Sequence, residues 1–544
     1  MLDADWGKAR RDVAAALDDA KAADVAARIW RRDASLWSES HSVQRSIANR
    51  LGWLEIAEWS REHVAGITGH ADAVAGAPVA LLGMGGSSLA PEVVSTVYGR
   101  DLTVLDSTDP TEIVARERAL PLDRTRFIVA SKSGETIETR SHAAFFLDRT
   151  GAPERFTAIT DPGSALEELA AKQRFARAFL NPQDVGGRYS ALSYFGLVPS
   201  ASIGVNVEPL LGSASEAMEL CRASDGVGTV LGAGLAALAR DGRDKVTFVA
   251  SPGLESFGAW AEQLLAESTG KESTGLVPVD GEPVGTPDVY GDDRVFVSLR
   301  LAGDDTHAAA LAGLRAEGHP VLTIDVASKE ALGGQFFLWE FATAVAGWRL
   351  ALNPFDEPNV AESKQNTARL IEAFVRDGSL PGPDPVAEED GVLVYDPVES
   401  ESATAALDAL FGHLHRDRYV ALQAFLPRLP DVETALRGIR TTIRDARRFA
   451  TTVGFGPRYL HSTGQLHKGG PDTGLFIQLT AEHDEDLPIP GKPFTFGVLQ
   501  AAQAAGDFEA LASRGRKIVR LHLTQGWEAG LAVVARMIRD ALPR

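Results

Sequence analysis

Short apolar segments alternate with helical segments along most of this chain, and this alternation restricts the fold more than any other feature. Residues 78–83 (PVALLG), 102–106 (LTVLD), 126–131 (RFIVAS) and 155–160 (RFTAIT) have the pattern of buried strands, and a helical stretch such as 138–149 lies between them. Strands that are apolar throughout and alternate with helices form parallel sheets covered on both faces. The sequence therefore predicts an α/β domain in this region.

The same rhythm recurs twice after a helical stretch at 207–240. Further strands are predicted at 245–251, 294–300, 321–326, 391–396, 419–426, 475–480 and 517–523. Further helices are predicted at 255–267, 334–352, 431–449, 495–505 and the C-terminus. Residues 377–390 are rich in Pro, Gly and acids and are typical of a linker, whereas the polar tract 481–493 is typical of a surface loop.

The predicted fold class is α/β, with two doubly wound parallel-sheet domains, a third α/β segment and an N-terminal helical segment. A length of 544 residues suits about three domains of roughly 100–200 residues each. The predicted limits are 1–75, 76–222, 223–380 and 391–544. In the first of these, Ala, Leu, Trp and paired charges at helical spacing predict helices near 8–32 and 43–62, which favours a packing or dimerisation role.

Composition excludes several classes of partner. The formal net charge is −20, and a distributed acidic surface disfavours binding to nucleic acid or to anionic membranes. The chain has a single cysteine, Cys221, so a disulfide framework or cysteine cluster is excluded. No signal peptide or run of about 18 apolar residues is found. We therefore expect a cytoplasmic protein with no nucleic-acid or membrane partner.

Two loops that follow predicted strands are candidate anion sites. Residues 81–91 (LLGMGGSSLAP) place Gly83, Gly85, Gly86 and Ser87 between a strand and a helix, where backbone N–H groups can approach a ligand. The alternative is a tight strand-to-helix turn with no ligand. The glycine order is also not that of a dinucleotide-binding loop.

The second loop, 128–139 (IVASKSGETIET), is more specific. Ser131, Ser133, Thr136 and Thr139 place hydroxyl groups at the start of a helix, where hydroxyls and amides can bind a phosphate without a metal ion. One hydroxyl would suffice as a helix cap, so four of them favour a ligand.

These strings together resemble the sugar isomerase domain family, and more narrowly the phosphoglucose isomerase family. The family's G-x-G-G-S and S-K-[ST] strings match residues 83–87 and 131–133. Its G-G-R-[YF]-S, E-S-[NT]-G-K and F-D-Q-x-x-V-E-x-x-K strings resemble 186–190, 267–271 and 355–364. The resemblance covers roughly residues 78–370. It implies reversible isomerisation of glucose 6-phosphate and fructose 6-phosphate through an enediolate, without a cofactor or a metal.

The resemblance also implies roles for single residues. Glu267 is the expected base that moves a proton between two carbons, and Arg188 the cation that stabilises the enediolate. Lys364 is expected to help open the sugar ring. Gly86, Ser87, Ser131, Lys132, Ser133, Thr136 and Thr139 are expected to bind the substrate. Each of these three residues also has an interpretation without a catalytic role. Glu267 could be a solvated carboxylate at a helix end, Arg188 part of a structural ion pair, and Lys364 a surface lysine.

The ring-opening histidine departs from the family's order along the chain. Residues 271–300 contain no histidine, whereas 459–471 (YLHSTGQLHKGGP) resembles the family's H-S-x-G-Q string. His461 is therefore the predicted ring-opening group, and His467 is a second candidate for the substrate site. Glu357 stands where the family has glutamine, and its negative charge puts a substrate contact in doubt. Histidines 413, 415, 461 and 467 could in principle bind a metal, but no carboxylate or cysteine pattern accompanies them.

Other functions remain open at this point. A sugar-phosphate sensor without catalysis would have no need of both Glu267 and Arg188. An isomerase that also accepts mannose 6-phosphate is a further alternative. An aminosugar-forming amidotransferase would carry an N-terminal nucleophilic cysteine, whereas Cys221 lies in mid-chain. A homodimer is the family expectation. The N-terminal segment resembles the junction of transaldolase–phosphoglucose isomerase fusions, so relatives are expected to carry a transaldolase half.

Overall fold

The N-terminal segment contains a strand as well as helices, which corrects the prediction of a purely helical segment. The protein is described by a computed structural model for residues 2–398 and 400–542. The N-terminal elements are β1 (Leu2–Asp5), α1 (Arg10–Ala22), α2 (Val25–Trp30), α3 (His41–Ala48), α4 (Ile56–Glu62) and α5 (Val64–Val74). The helix predicted over 8–32 is interrupted at Asp24, which has φ 54°. Left-handed backbone ends a regular helix, so two shorter helices form.

Five parallel strands form the first sheet, and the apolar strings predict four of them. Its elements are β2 (Val79–Gly83), α6 (Leu89–Tyr98), β3 (Thr103–Leu105), α7 (Pro110–Ala119), β4 (Arg126–Ala130), α8 (Ile137–Thr150), β5 (Phe156–Thr160), α9 (Ala165–Gln173) and β6 (Arg177–Leu180), followed by α10 (Tyr194–Ser202) and α11 (Glu208–Leu220). The strand order is β3-β2-β4-β5-β6. The edge strand β6 was not predicted, because its exposed positions break the apolar pattern.

The second sheet repeats this arrangement and recruits the N-terminus. Its elements are α12 (Val227–Arg240), β7 (Lys245–Ala250), α13 (Phe257–Thr269), β8 (Val277–Val279), β9 (Arg294–Leu301), α14 (Ala308–Ala316), β10 (Val321–Val326), α15 (Leu332–Leu350) and α16 (Val360–Asp377). The order is β1-β10-β9-β7-β8, and β1 pairs antiparallel with β10, with Leu2 opposite Ile324. Among residues 2–398 and 400–542, no helix has the length and apolar character needed to span a bilayer.

The third segment has the same strand order as the other two sheets. Its elements are β11 (Ala387–Glu389), β12 (Val392–Tyr395), α17 (Ala403–Phe411), β13 (Tyr419–Phe425), α18 (Pro430–Arg447), β14 (Ala450–Phe455), α19 (Gly464–Gly469), β15 (Gly474–Ala481), α20 (Phe496–Ser513), β16 (Lys517–Leu523) and α21 (Gly526–Ala541). The order is β11-β12-β16-β15-β13-β14. In each of the three sheets, the parallel strand that comes first along the chain lies between the second and the third. The predicted α/β class is confirmed, and the third segment is a further doubly wound unit.

Helix α20 joins the third unit to the first. On one side Phe496 and Leu499 lie in the core of the first sheet, together with Leu370 of α16. On the other side Phe508 and Leu511 pack against the third sheet. The predicted surface loop 481–493 also contributes to the first core, because its apolar side chains Leu487 and Ile489 are buried there.

An ion-pair cluster fixes the same contact. Arg428 and Arg458, from the third unit, both bind Glu92 of α6, the first at 2.8 Å. Arg458 also lies 2.5 Å from Asp106. Burial acts against the charged carboxylate, but the two guanidinium groups outweigh it and lower the pKa of Glu92 to about 2. Arg458 lies three residues before His461, so these ion pairs fix the segment that contains His461 to the first unit.

Removing the Glu92 carboxylate should weaken this anchor. Breaking a largely buried ion pair leaves uncompensated charge, so we expect Glu92→Gln to lower the free energy of unfolding by about 3 kcal/mol at neutral pH. A carboxylate with a lowered pKa stabilises the fold above its unfolded pKa, and loses this contribution as pH falls towards 2. The deficit of Glu92→Gln, measured by denaturant titration, should therefore shrink below about pH 4.5. Exposed Glu39→Gln is the matched control, and an equal deficit at all pH values would contradict the assignment.

Candidate active site

A cavity of about 300 Å³ lies where the first sheet, α16 and the third unit meet. Four predicted site residues line it, namely Ser133, Thr136, Lys364 and His461. They come from three distant parts of the sequence, so the cavity exists only because α16 and the third unit pack against α8. Glu138 and Gln503 complete its polar wall.

The hydroxyl loop leads from β4 into α8 beside this cavity. The Oγ of Ser131 lies 3.1 Å from the Oγ1 of Thr136 and accepts a hydrogen bond from the N–H of Gly134. The Oγ of Ser133 accepts one from the N–H of Glu135. Thr136 precedes α8 and makes no side-chain capping bond. Its hydroxyl and the positive end of the helix therefore both lie at the cavity, and this combination suits the binding of an anion.

His461 is held at the cavity by an acid from α8. Its Nε2 lies 3.0 Å from the Oε1 of Glu138, which also accepts a hydrogen bond of 2.7 Å from Gln503. Burial acts against the charged form of Glu138, but His461 outweighs it and the pKa of this carboxyl is lowered. A carboxylate on one ring nitrogen fixes the orientation of the imidazole.

Glu267 and Arg188 form a buried pair beside this histidine. The Oε2 of Glu267, at the end of α13, lies 3.8 Å from Nη1 of Arg188. Burial raises the pKa of Glu267, and the negative charge of Glu357 raises it further against the opposing effect of Arg188. A carboxylate with a raised pKa beside a fixed cation can accept and return a proton.

Arg188 is fixed in place by several acceptors. Its Nε donates to Ser268 at 2.7 Å, and Nη2 donates to the carbonyls of Pro354 and Asp356. Its Nη1 lies 2.9 Å from Glu357, closer than it is to Glu267. Burial disfavours the guanidinium charge, but Glu267 and Glu357 outweigh this and raise the pKa of Arg188. Arg188 is therefore a permanent cation shared by two carboxylates.

The glycine loop connects the two halves of the site. A Cβ on Gly85 would lie 2.8 Å from both the Nε2 of Gln263 and the carbonyl of His461. A Cβ on Gly86 would lie 2.1 Å from the carbonyl of Gly187. Only glycine permits this approach. The Nε2 of Gln263 also bonds Glu267 at 3.2 Å and the carbonyl of His461 at 2.8 Å, so base and histidine share one partner.

Some predicted residues lie elsewhere. The Nζ of Lys132 binds Asp161 at 2.5 Å and the carbonyl of Gln183, which directs it away from the cavity. His467 is buried beside Gln423, and burial lowers its pKa to about 3. It therefore stays neutral, and it is buried in the third unit against Tyr459 and Phe476.

Two more predicted residues take structural positions near the site. The hydroxyl of Thr139 is enclosed in α8. The backbone N–H of Ser87 donates a hydrogen bond of 3.0 Å to the carbonyl of Met84 within the turn. The described residues contain no group of three or more His, Cys, Asp or Glu side chains suited to a metal ion.

Three polar residues of the site were missed from the sequence. Glu138 could have been found, because it is an acid between two loop hydroxyls, Thr136 and Thr139. Gln263 lies four residues before Glu267, one helical turn away, which is a weaker signal. Gln503 had no signal, because only the packing of α20 on the first unit brings it to Glu138.

Doubly wound sheets around a cavity of hydroxyls and acid–base groups are the arrangement expected from the resemblance to the sugar isomerase class. Residues 32–275 match the family model for phosphoglucose isomerase. We therefore identify this part of the chain as a phosphoglucose isomerase domain. The match contains both Arg188 and Glu267, whereas Lys364 and His461 lie beyond it.

Two relatives are similar to this chain in sequence, and one solved structure is similar in fold. A probable glucose-6-phosphate isomerase of Haloarcula marismortui is 29% identical over 55% of this chain and 79% of the relative. A glucose-6-phosphate isomerase of Heliobacterium modesticaldum is 31% identical over 45% of this chain and 65% of the relative. A hypothetical protein of Thermus thermophilus shares the fold, with a TM-score of 0.57 and 24% identity over 68% of this chain and 99% of its own.

Proposed function

We propose that this protein is a glucose-6-phosphate isomerase, which interconverts glucose 6-phosphate and fructose 6-phosphate. The observation that best supports this proposal is the buried pair of Glu267 and Arg188, 3.8 Å apart. Gln263 connects this pair to His461, which lines the hydroxyl-containing cavity. Purified protein should form glucose 6-phosphate from fructose 6-phosphate in a coupled assay. No product formation by the folded protein would overturn the proposal.

The proposed substrate binds by its phosphate at the hydroxyl loop. Ser133 and Thr136 line the cavity, and the start of α8 adds N–H groups and a positive helix end. Lys364 lines the same cavity and contributes its amine to it. This arrangement supports a dianionic phosphate despite the acidic surface of the chain, because local donors decide the binding of an anion.

Ring opening then uses His461 and Lys364. A protonated imidazole held by Glu138 can donate to the ring oxygen, and a neutral base can accept the proton of the anomeric hydroxyl. The 3.0 Å contact between His461 and Glu138 supports the first role. Both groups lie on one cavity wall, so the sugar is opened where its phosphate is held.

Isomerisation uses Glu267 and Arg188. Glu267 takes the proton from C2 of the open aldose and an enediolate forms. The proton of the C2 hydroxyl passes to the C1 oxygen, and the same carboxyl returns its proton to C1, which leaves the carbonyl on C2. Arg188 stabilises the negative oxygen of the enediolate, as preorganised cations do in other enzymes. Neither side chain is among the residues that line the cavity, so the sugar chain must extend beyond this lining to reach them.

Glu357 should tune this base, because its carboxylate competes for Arg188. In Glu357→Gln the negative charge beside Glu267 is removed and Arg188 is released to it, so the pKa of Glu267 should fall. Since the base must be ionised, the acid limb of the kcat/KM profile should move to lower pH. Exposed Glu372→Gln on α16 is the control. An unchanged limb, or one moved to higher pH, would show that Glu357 does not set the pKa of the base.

Oligomeric state, mannose 6-phosphate turnover and a transaldolase half in relatives stay predictions. The groups proposed for catalysis all come from one chain, because the third unit supplies His461 to its own first unit. A homodimer is therefore not needed to complete the proposed site. We accordingly expect specific activity to be independent of protein concentration in the assay.

A further inference from the structure

A second cavity, of about 410 Å³, lies in the third unit. It opens at the carboxyl ends of β13 and β15, with Phe425 from the first strand and Thr480 from the second in its wall. The chain passes from β13 outwards to β14 and returns on the other side with β15. Ligands of doubly wound sheets bind in the crevice where the strand order reverses in this way. The catalytic cavity is lined by different residues.

Arg520 gives this cavity a positive charge without a counter-ion. Its Nε donates to Gln478 at 2.7 Å and its Nη2 to the carbonyl of Ala504 at 3.2 Å. Both acceptors are neutral, and among the described residues no carboxylate lies within ion-pair distance of it. Rings of Phe508 and Tyr395 lie 4.5 and 5.4 Å from the guanidinium. Burial lowers the pKa of Arg520 to about 10, so it remains a cation at neutral pH.

The acids around the cavity are already engaged. Asp486 accepts hydrogen bonds from Thr495 and from the N–H groups of Leu487 and Gly497. Glu482 lies 3.1 Å from the Nε2 of His522. Neither acid forms an ion pair with Arg520. Asp507 and Glu509 act on its charge from a greater distance, but they are paired with Lys468 and Arg369, which leaves the cavity wall suited to an incoming oxyanion.

His522 and His483 add further nitrogen atoms to this wall. The Nδ1 of His522 lies 2.9 Å from the Oγ1 of Thr480, and the Nδ1 of His483 lies 3.8 Å from Asp109. Leu380, Phe425 and Val498 add apolar groups to the lining. A cationic group beside apolar side chains is typical of sites for small organic anions.

We propose that this cavity is a second ligand site, which binds a small organic anion with its oxyanion group on Arg520 and its apolar body against Leu380 and Val498. The ligand group is a phosphate or a carboxylate, since a guanidinium binds either. The inference does not use the proposed isomerase activity, so each can fail without the other.

The test is calorimetric titration of the full chain with phenyl phosphate, benzoate and neutral benzyl alcohol. We expect one or both anions to bind and the alcohol not to bind. Arg520→Gln should weaken anion binding at least about tenfold, because a charge-assisted contact is lost. The stronger of the two anions identifies the oxyanion group.

Three variants make the assignment specific. Ala501→Trp, at an exposed lining position of α20, should block the cavity without touching Arg520, and it covers the case in which Arg520→Gln fails to fold. Arg539→Gln removes one exposed charge elsewhere and should bind as wild type does. Ser133→Ala, in the catalytic cavity, should not change the binding of benzoate, which has no phosphate for the hydroxyl loop to bind. The proposal is overturned if neither anion shows binding that depends on Arg520, if that binding survives Ala501→Trp, or if Ser133→Ala abolishes it.

Discussion

Replacing Glu267 with glutamine should lower the turnover of fructose 6-phosphate by at least about 10²-fold, the lower limit for loss of a general base. Glutamine keeps the size of the side chain and its contact with Gln263, but it cannot take up a proton from carbon. Arg188 stays positively charged in the variant, so substrate affinity should change much less than turnover. Coupled steady-state assays of kcat and KM separate these two quantities.

Exposed Glu272→Gln is the matched control for this variant. It makes the same chemical change five residues further along the chain, where the carboxylate lies in solvent. We expect its kcat to equal that of wild type. The Glu267→Gln preparation, purified in the same way, also reports any isomerase carried over from the expression host. Equal turnover in Glu267→Gln and wild type would assign the base to another residue.

Replacing His461 with glutamine should also lower turnover of the cyclic substrates by at least about 10²-fold, because an acid–base group is lost. The expected defect is confined to ring opening, since Glu267 carries out proton transfer between carbons. A 5-deoxy analogue of fructose 6-phosphate has no hydroxyl that can close the ring. We therefore expect His461→Gln to turn over this analogue at a rate within about tenfold of wild type, because a residue that acts only in ring opening is not needed for an open substrate.

His415→Gln in the same unit controls for the loss of a histidine, because His415 is exposed. A comparable loss on the cyclic substrate and on the 5-deoxy analogue would mean that His461 acts in the enediolate step or in binding. A loss on neither would remove His461 from the mechanism. Circular dichroism and thermal unfolding of each variant show whether the third unit remains docked, since His461 also contacts Glu138.

Local sequence patterns predicted much of the framework. The strands at 321–326 and 517–523 coincide with β10 and β16, because a continuous apolar string between turn residues leaves little alternative to a buried strand. The hydroxyl loop after β4 was predicted from its composition. The family strings indicated Arg188 and Glu267, which the structure brings within 3.8 Å.

Elements that depend on distant partners were harder to predict. β1 forms only because the edge of β10 is available to it, and its four residues carry too few apolar positions to show a pattern. The short β8 and the half-buried β14 were missed for the same reason. Asp24 interrupts the first predicted helix although its neighbours have helical spacing, because spacing does not record a left-handed backbone.

The sequence by itself determined the chemistry that each residue could supply and the parallel-sheet framework that carries it, because residue type and the period of apolar positions are local properties. The tertiary structure decided which of these residues meet. It placed His461 on Glu138 and at the cavity, but put His467, six residues away, into the core, and it turned Lys132 towards Asp161. These outcomes depend on how α20 and the third unit pack on the first sheet, and packing across hundreds of residues leaves no mark in a local pattern.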